Sequence, residues 1–296
     1  MSSNQSVKFS LATNVCATDG AMLQHTLPSW LRVFGERLTE VVVVVDERPP
    51  SGRIASQRGH IQDGDDLLNR ISRICELDPR VRCVRLNYDC VPETSLKWFG
   101  QANIVRCQSG TPIFAFVQAV EEASSDIVLR TDCDMLFCES GWLNEAIEAL
   151  QSDALDLVEP PKLGMHLHGY ETMVSTGTFM LKRSRFLERC LPLKVHHLDW
   201  ARRFHRILKG RPSWLSLEEM FKKEKERGRI RHALLDSSVG FSVHVYTREY
   251  AQVEYFGEVI SKIESGLIPD EQMPYGWNLT LEVWPQTNLE YSSRDV

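Results

Sequence analysis

The sequence lacks the patterns that mark disulfide-rich, general nucleic-acid-binding and membrane-spanning proteins. It contains eight cysteines, but no C-x-x-C pair and no regular spacing between them, so reduced thiols are expected rather than a disulfide framework. The formal net charge is −6, whereas a general nucleic-acid binder is more often basic. The longest valine run, residues 41–45, is too short to span a bilayer. Membrane contact, if present, is therefore expected to be peripheral.

No repeat, low-complexity tract or long linker divides the chain of 296 residues, and 43% of it is apolar. That content is enough for a substantial core. We expect a single domain over residues 1–296. The first ten residues are polar and lead into a strand pattern, so no signal peptide is expected and the location is predicted to be cytoplasmic, with peripheral contact at the inner membrane face left open. Residues 194–231 gather much of the Lys and Arg, which predicts an uneven charge distribution.

Strand and helix signals alternate through the first half. Strands are predicted at 7–13, 40–47 and 81–86, an amphipathic helix at 22–34 and a further helix at 66–77. The strand at 40–47 is apolar on both faces, so it needs helices above and below it, as in a parallel α/β sheet. Residues 89–100 are predicted to be irregular.

The second half continues this alternation and then becomes less regular. Thr111 and Pro112 are predicted to be the N-cap and first-turn residues of a helix, and Ser140 to be the N-cap of the next one. Further strands are predicted at 127–129, 154–160 and 177–183.

Two aspartates, Asp132 and Asp134, follow the buried strand at 127–129. On an extended backbone these side chains lie on one face, while Cys133 points into the packing on the other. Ligands bind beyond the carboxyl ends of parallel strands, and a carboxylate pair suits Mg²⁺ or Mn²⁺ that carries substrate phosphates. Such a triplet also occurs by chance. Asp63 and Asp65 have the same spacing, but they lie in a polar loop where aspartates form turns and helix caps.

In the order of its motifs the chain resembles the GT-A glycosyltransferases, nucleotide-sugar-dependent enzymes with a D-x-D motif, and most nearly the family-2-like group of the nucleotide-diphospho-sugar transferase superfamily. The resembling segments are VKFSLATN, VVVVVDE, AVEEASSDIVLRTDCDM, STGTFMLKRSRF and HHLDWARRF. The resemblance implies an α/β, Rossmann-like GT-A fold, with a mostly parallel sheet, helices on both faces and a less regular C-terminal acceptor-side region. Residues 1–138 would bind the nucleotide sugar, and residues 139–296 the acceptor.

The resemblance also implies roles for individual residues. Thr13 and Asn14 would lie near the nucleotide, and Asp46 would hydrogen-bond the base. Asp132 would bind the ribose and, together with Asp134, the metal-bound diphosphate. Without the resemblance, Thr13 and Asn14 are ordinary turn residues, and Asp46 merely ends a strand.

One departure from the family concerns a positive charge. Many family-2 enzymes carry an Arg-Asn pair early in the helix before the D-x-D strand, where this chain has Phe116 and Val117. Arg106, or Lys97, could supply the missing diphosphate contact. Either residue is otherwise a solvated surface charge.

An inverting transferase needs a carboxylate that accepts the proton of the acceptor hydroxyl. In the family this base opens a helix after the second glycine-containing strand, which matches Asp199. The alternative is that Asp199 is a helix N-cap.

Three histidines are further candidates. The resemblance implies His244 as a third metal ligand, since some GT-A enzymes complete the site with a C-terminal histidine. The alternative for His244 is a hydrogen-bonded packing residue. His166 and His168 would share a strand face, where they could bind a transition metal or line the acceptor pocket.

The predicted function is metal-dependent transfer of a sugar from a UDP- or GDP-linked donor to a hydroxyl acceptor, which is a carbohydrate, another small molecule or a lipid-linked compound. The predicted cofactor is Mn²⁺ or Mg²⁺. Three alternatives remain open. One is a sugar nucleotidylyltransferase, whose glycine-rich start is absent here. Another is a metal-dependent hydrolase that uses Asp132, Asp134 and His166 or His168, and the third is a non-catalytic carbohydrate- or nucleotide-binding protein.

Overall fold

The computed structural model describes residues 7–16, 22–48, 64–108, 110, 112–137, 140–160, 178–235 and 242–244. The strands are β1 (Phe9–Cys16), β2 (Leu38–Asp46), β3 (Val81–Arg85), β4 (Ile127–Thr131), β5 (Met135–Phe137), β6 (Leu157–Glu159), β7 (Thr178–Lys182), β8 (His232–Leu234) and β9 (Ser242–His244). The helices are α1 (Leu23–Phe34), α2 (Gly64–Cys75), α3 (Val91–Phe99), α4 (Ile113–Glu122), α5 (Leu143–Gln151), α6 (Arg183–Arg189), α7 (Trp200–Leu208) and α8 (Leu217–Glu226).

Seven strands form one sheet in the order β3-β2-β1-β4-β7-β6-β8. Strands β3, β2, β1 and β4 are parallel, β7 is antiparallel to both of its neighbours, and β6 is parallel to β8. The prediction of a mostly parallel α/β sheet is confirmed. The carboxyl ends of β1, β2 and β4 therefore meet at one edge of the sheet, which we call the carboxyl edge. Strands β5 and β9 pair separately, antiparallel to each other.

The valine run of β2 shows why helices cover both faces. Val41, Val43 and Val45 belong to a core cluster with residues of α1, α2 and α5. Val42 and Val44 belong to a second cluster with residues of α3, α4 and α8. Because successive strand side chains point to opposite faces, an unbroken valine run fills both clusters at once, and all five valines are fully buried.

Helix α3 lies where the sequence was predicted to be irregular, so that prediction was wrong. The segment has Pro92 in its first turn, and it ends at Gly100, whose φ of 63° is left-handed. Proline near the start and glycine just past the end are typical of a helix. Val91, Ser95 and Trp98 are buried on one face, and Val91 and Trp98 belong to the second core cluster.

Two predicted helix starts were also wrong. Pro112 occupies the N-cap position of α4 rather than its first turn, and Thr111 lies outside the described residues. Helix α5 begins at Leu143 after Trp142, and Ser140 makes no side-chain cap. Trp142 is fully buried, so packing of the indole sets the start of this helix. In the described part of the chain, no helix has the length and apolar character needed to cross a membrane.

Candidate active site

The D-x-D residues lie on a turn at the carboxyl end of β4. The backbone N–H of Met135 donates to the carbonyl oxygen of Asp132 (3.2 Å), which closes a four-residue turn, so the predicted extended backbone was wrong here. Cys133 is buried, as predicted, whereas Asp132 and Asp134 are partly exposed. The carboxylates are therefore presented by a turn and not by strand alternation.

Helix α1 fixes this turn through three side chains. Thr26 Oγ1 donates to the carbonyl oxygen of Cys133 (2.7 Å) and Trp30 Nε1 to that of Met135 (2.7 Å). Ser29 Oγ donates to the carbonyl oxygen of Phe137 (3.4 Å). All three donors are buried. Side chains of α1 therefore bond the carbonyl groups of the turn and of β5, as a neighbouring strand would otherwise do. The sequence predicted the helix but not these contacts.

Arg130 joins the ends of β1 and β4. Its side chain is 4% exposed, and its guanidinium donates to Asn14 Oδ1 (2.6 Å) and to the Asp132 carboxylate. The guanidinium also lies 4.4 Å from the centroid of the Phe116 ring. Planar guanidinium geometry allows one side chain to hold two acceptors and stack on a ring.

Arg130 supplies a positive charge beside Phe116, the position that the resemblance to family-2 enzymes matched to their arginine. Phe116 stands at that helix position, and the Arg130 guanidinium rests on its ring. Sequence reasoning missed Arg130. The signal was a single charged residue inside the buried run of β4, since a charge at such a position is rare unless it is paired.

A second buried ion pair joins β2 to the segment before α4. Arg106 Nη2 lies 3.1 Å from Asp46 Oδ2, and the Asp46 side chain is fully buried. Asp46 Oδ1 accepts from the Tyr88 hydroxyl (2.5 Å) and from the backbone N–H of Arg48 (3.0 Å). Burial and donation to Asp46 raise the pKa of Tyr88, so its hydroxyl stays protonated. A nucleotide base would reach Asp46 only if one of these donors moved.

The strand alternation sorts the predicted residues by face. Asn14 pairs with Val44 of β2, so its side chain lies on the same face of the sheet as Val42, Val44 and Asp46. Val42 and Val44 belong to the core cluster that contains Phe116. Thr13 points to the opposite face and is fully buried. Within the described residues its hydroxyl has no hydrogen-bond partner. The structure therefore brings Asn14, but not Thr13, to Arg130.

His244 lies on β9, directly opposite Met135 of β5. Its backbone is thus one strand away from the residue that follows Asp134. Nothing in this register fixes what its side chain contacts, so its role as a ligand stays a prediction.

Asp199 is the N-cap of α7. Its Oδ1 accepts from the backbone N–H of Arg202 (3.1 Å), and its Oδ2 lies 3.1 Å from Arg202 Nε, with the Asp199 side chain 56% exposed. A cap role does not remove the carboxylate from solvent, and the general-base role stays a prediction.

The remaining candidates lie elsewhere. His166, His168 and Asp63 fall outside the described residues, and Asp65 lies in α2. Lys97 pairs with Glu121 (2.7 Å) near the end of α4. Because α4 leads into the start of β4, this pair lies at the edge of the sheet opposite the D-x-D turn.

The two carboxylates of the D-x-D turn suit a divalent cation that also binds substrate phosphates. Across the described ranges, no three His, Cys, Asp or Glu side chains are grouped to hold a metal. Mg²⁺ is usually bound by one or two carboxylates and completes its shell with water and substrate phosphates. Two partly exposed carboxylates on one turn match that mode better than a closed structural site.

No protein-family profile matches the sequence, and no curated protein matches it. Solved structures do match. The mannosyltransferase PcManGT from Pyrobaculum calidifontis, solved with GDP-Man and Mn²⁺, superposes with a TM-score of 0.51 at 14% identity, over 93% of this chain and 69% of that chain. The chain has the GT-A fold.

Two further structures have lower TM-scores. The 4-diphosphocytidyl-2C-methyl-D-erythritol synthase from Anaerococcus prevotii gives 0.47 at 11% identity, over 86% of this chain and 96% of that chain. S. aureus TarS 1–349 with UDP-GlcNAc gives 0.47 at 13% identity, over 87% of this chain and 66% of that chain. At these identities the similarity concerns the fold alone.

Proposed function

We propose that the protein is a divalent-metal-dependent glycosyltransferase that moves a sugar from a UDP- or GDP-linked donor to a hydroxyl acceptor. The observation that carries the proposal is the polar cluster at the carboxyl edge of a GT-A sheet. There Arg130 joins Asn14 to Asp132, and Arg106 pairs with Asp46. Ligands bind at this edge in open α/β sheets.

In this proposal Asp132 and Asp134 hold Mn²⁺ or Mg²⁺, with His244 as a third ligand. The bound metal would stabilise the charge of the departing nucleoside diphosphate. Arg130 positions Asp132 and supplies positive charge next to the diphosphate. Arg106, held by Asp46, would contact the nucleotide part of the donor. Thr13 would contribute only through the packing of β1.

Nucleotide-sugar binding is tested by thermal unfolding with UDP- and GDP-linked sugars, with and without Mn²⁺. A ligand at a hundred times its Kd stabilises the folded state by about 2.7 kcal/mol, which a thermal shift detects. We expect the shift to require Mn²⁺ and to disappear in Asp134→Asn. Glu148→Gln, an exposed charge on α5, is the matched control and should keep it. A shift with nucleoside triphosphates alone would instead favour a nucleotidylyltransferase.

We further propose that Asp199 is the general base and that transfer inverts the anomeric carbon. Asp199→Asn should lower turnover by about two to four orders of magnitude and leave the donor-induced thermal shift unchanged. Asparagine caps a helix about as well as aspartate, so a pure cap role predicts an unchanged rate. Retention of the donor's anomeric configuration in the product, read by NMR, would exclude this role.

A further inference from the structure

Helix α7 presents its apolar side chains to solvent. Four of them are largely exposed: Trp200 (80%), Phe204 (54%), Ile207 (57%) and Leu208 (70%). Elsewhere in the described part of the chain, only Leu77 and Leu96 among the large apolar residues are comparably exposed. Exposed apolar residues scattered singly need no explanation, but a contiguous group marks an interaction site.

The side chains of α7 separate cleanly by character. At about 100° per residue, the four apolar side chains fall within a stripe of roughly 100°. The rings of Trp200 and Phe204 stack with their centroids 6.0 Å apart. Arg202, Arg203 and Arg206 lie on the other side of the helix, and Ala201 and His205 lie between the apolar and the basic groups. An apolar stripe of this width normally packs on a core, yet no residue of α7 is buried.

The segments on either side of α7 anchor it beside the carboxyl edge. His197, which precedes the helix, and Trp214, which follows it, form an antiparallel bridge. The indole N–H of Trp214 donates to the carbonyl oxygen of Arg106 (2.5 Å), and the Arg106 side chain pairs with Asp46. The apolar stripe is therefore displayed by a structure connected directly to the candidate active site.

We propose that α7 docks the protein on the surface of an anionic phospholipid bilayer, with its apolar stripe inserted at the headgroup level. Residues 199–211 contain five Arg or Lys and one acidic residue, a local charge of +4, in a chain whose net charge is −6. Basic side chains near a membrane are attracted by anionic lipids. Tryptophan favours the membrane–water interface, and a helix with these two faces lies in that plane.

Charge and size disfavour the other partners. A second copy of the chain would bring one +4 segment against another. A nine-residue helix is about 13 Å long, so its stripe is well below the roughly 800 Å² per partner of a stable protein interface. Single-stranded nucleic acid stacks on aromatic rings, but Ile207 and Leu208 offer no ring for a base.

The test is sedimentation of the full chain with phosphatidylcholine vesicles and with mixed phosphatidylcholine–phosphatidylglycerol vesicles. We expect binding to the anionic vesicles only, weaker as salt is added. Trp200→Ser with Phe204→Ser should weaken it about tenfold or more. The matched control, Leu77→Ser with Leu96→Ser, removes equally exposed apolar side chains and should bind like the wild type. Thermal unfolding should be unchanged in both variants, because neither removes a buried residue.

Three results would overturn the proposal. One is equal binding by the α7 double variant and the wild type. Another is no binding to either vesicle, with the double variant shifting the oligomeric state instead, which would make α7 a protein interface. The third is a preference for single-stranded RNA over anionic vesicles in competition.

Docking through α7 would bring the carboxyl edge close to the bilayer, which favours an acceptor hydroxyl carried on a membrane lipid. That acceptor class rests on the proposed function. Vesicle sedimentation uses no nucleotide sugar, so it fails or succeeds independently of the thermal-shift panel.

Discussion

Replacing Arg130 by methionine removes the guanidinium that holds both Asn14 and Asp132. The hydrogen bond to Asn14 (2.6 Å) is buried at both ends, and a bond to a charged group in such a place contributes about 1.5–3 kcal/mol. The Asp132 side chain is 37% exposed, so water can replace that bond and its loss costs under about 1 kcal/mol. Methionine retains a favourable contact with the Phe116 ring. We expect a loss of about 2 to 3 kcal/mol in the free energy of unfolding, measured by urea denaturation.

The second effect concerns the metal. A side chain that orients a metal ligand typically affects metal affinity by about 10- to 100-fold. Arg130→Met should therefore weaken Mn²⁺ binding by that factor, read by the EPR signal of free Mn²⁺ in the presence of UDP or GDP. Arg130→Lys should not restore it, because one ammonium group lacks the fork that reaches two acceptors.

Arg82→Met is the matched control for these measurements. Arg82 pairs with Glu122 (3.0 Å) and lies 3.7 Å from Glu40, and the Arg82 side chain is 43% exposed. Exposed pairs contribute about 0–1 kcal/mol, so both stability and Mn²⁺ binding should stay near the wild type. Wild-type Mn²⁺ affinity in Arg130→Met, or an equal loss in Arg82→Met, would refute the positioning role.

Three further predictions concern the turn, the fold and pH. Asp134→Asn should abolish Mn²⁺ binding by EPR without lowering the midpoint of urea unfolding, because Asp134 is partly exposed; unchanged Mn²⁺ affinity would contradict its role as a ligand. Trp30→Phe removes the buried donor to the Met135 carbonyl and should cost about 1–3 kcal/mol of unfolding free energy; no loss would mean that the bond does not hold the turn. Burial would raise the pKa of Asp156, but hydrogen bonds and charge from Arg231 and Arg189 lower it overall. Its stabilising effect is therefore complete above its unfolded pKa and is lost as pH falls through the folded value. Asp156→Asn should cost about 2 to 3 kcal/mol near neutral pH, and the difference from the wild type should shrink below about pH 4; a constant difference would contradict the charge argument.

Periodic segments of the chain could be predicted from sequence. The valine run of β2 predicted burial on both faces, because only a strand between two helical layers accommodates five consecutive valines. Helix α1 was predicted to within one residue of its start, since its apolar residues recur at helical spacing. Helix α3 was missed, although Pro92 and Gly100 mark its ends, because Ser95 occupies a buried position of its inner face and Leu96 is exposed, which hides the helical spacing of the apolar residues.

The position of the candidate site could be predicted from the sequence, but the contacts that hold its residues in place could not. A buried strand followed by aspartates predicted the place of the D-x-D residues. The contacts that hold the site join distant parts of the chain: Arg130 and Asn14 are 116 residues apart, and Arg106 and Asp46 are 60 residues apart. These contacts depend on the strand order, which puts β1 between β2 and β4.

Helix α7 separates most clearly what sequence and tertiary structure each determined. Its apolar and basic residues alternate at helical spacing, so the sequence alone determined an amphipathic helix that Asp199 caps. The same spacing describes a helix packed on a core and one facing solvent, because periodicity records which side chains share a face and not what that face contacts. Only the tertiary structure decided that the apolar stripe stays exposed, because the segments on either side of α7 pair with each other at the His197–Trp214 bridge and leave every residue of the helix unburied.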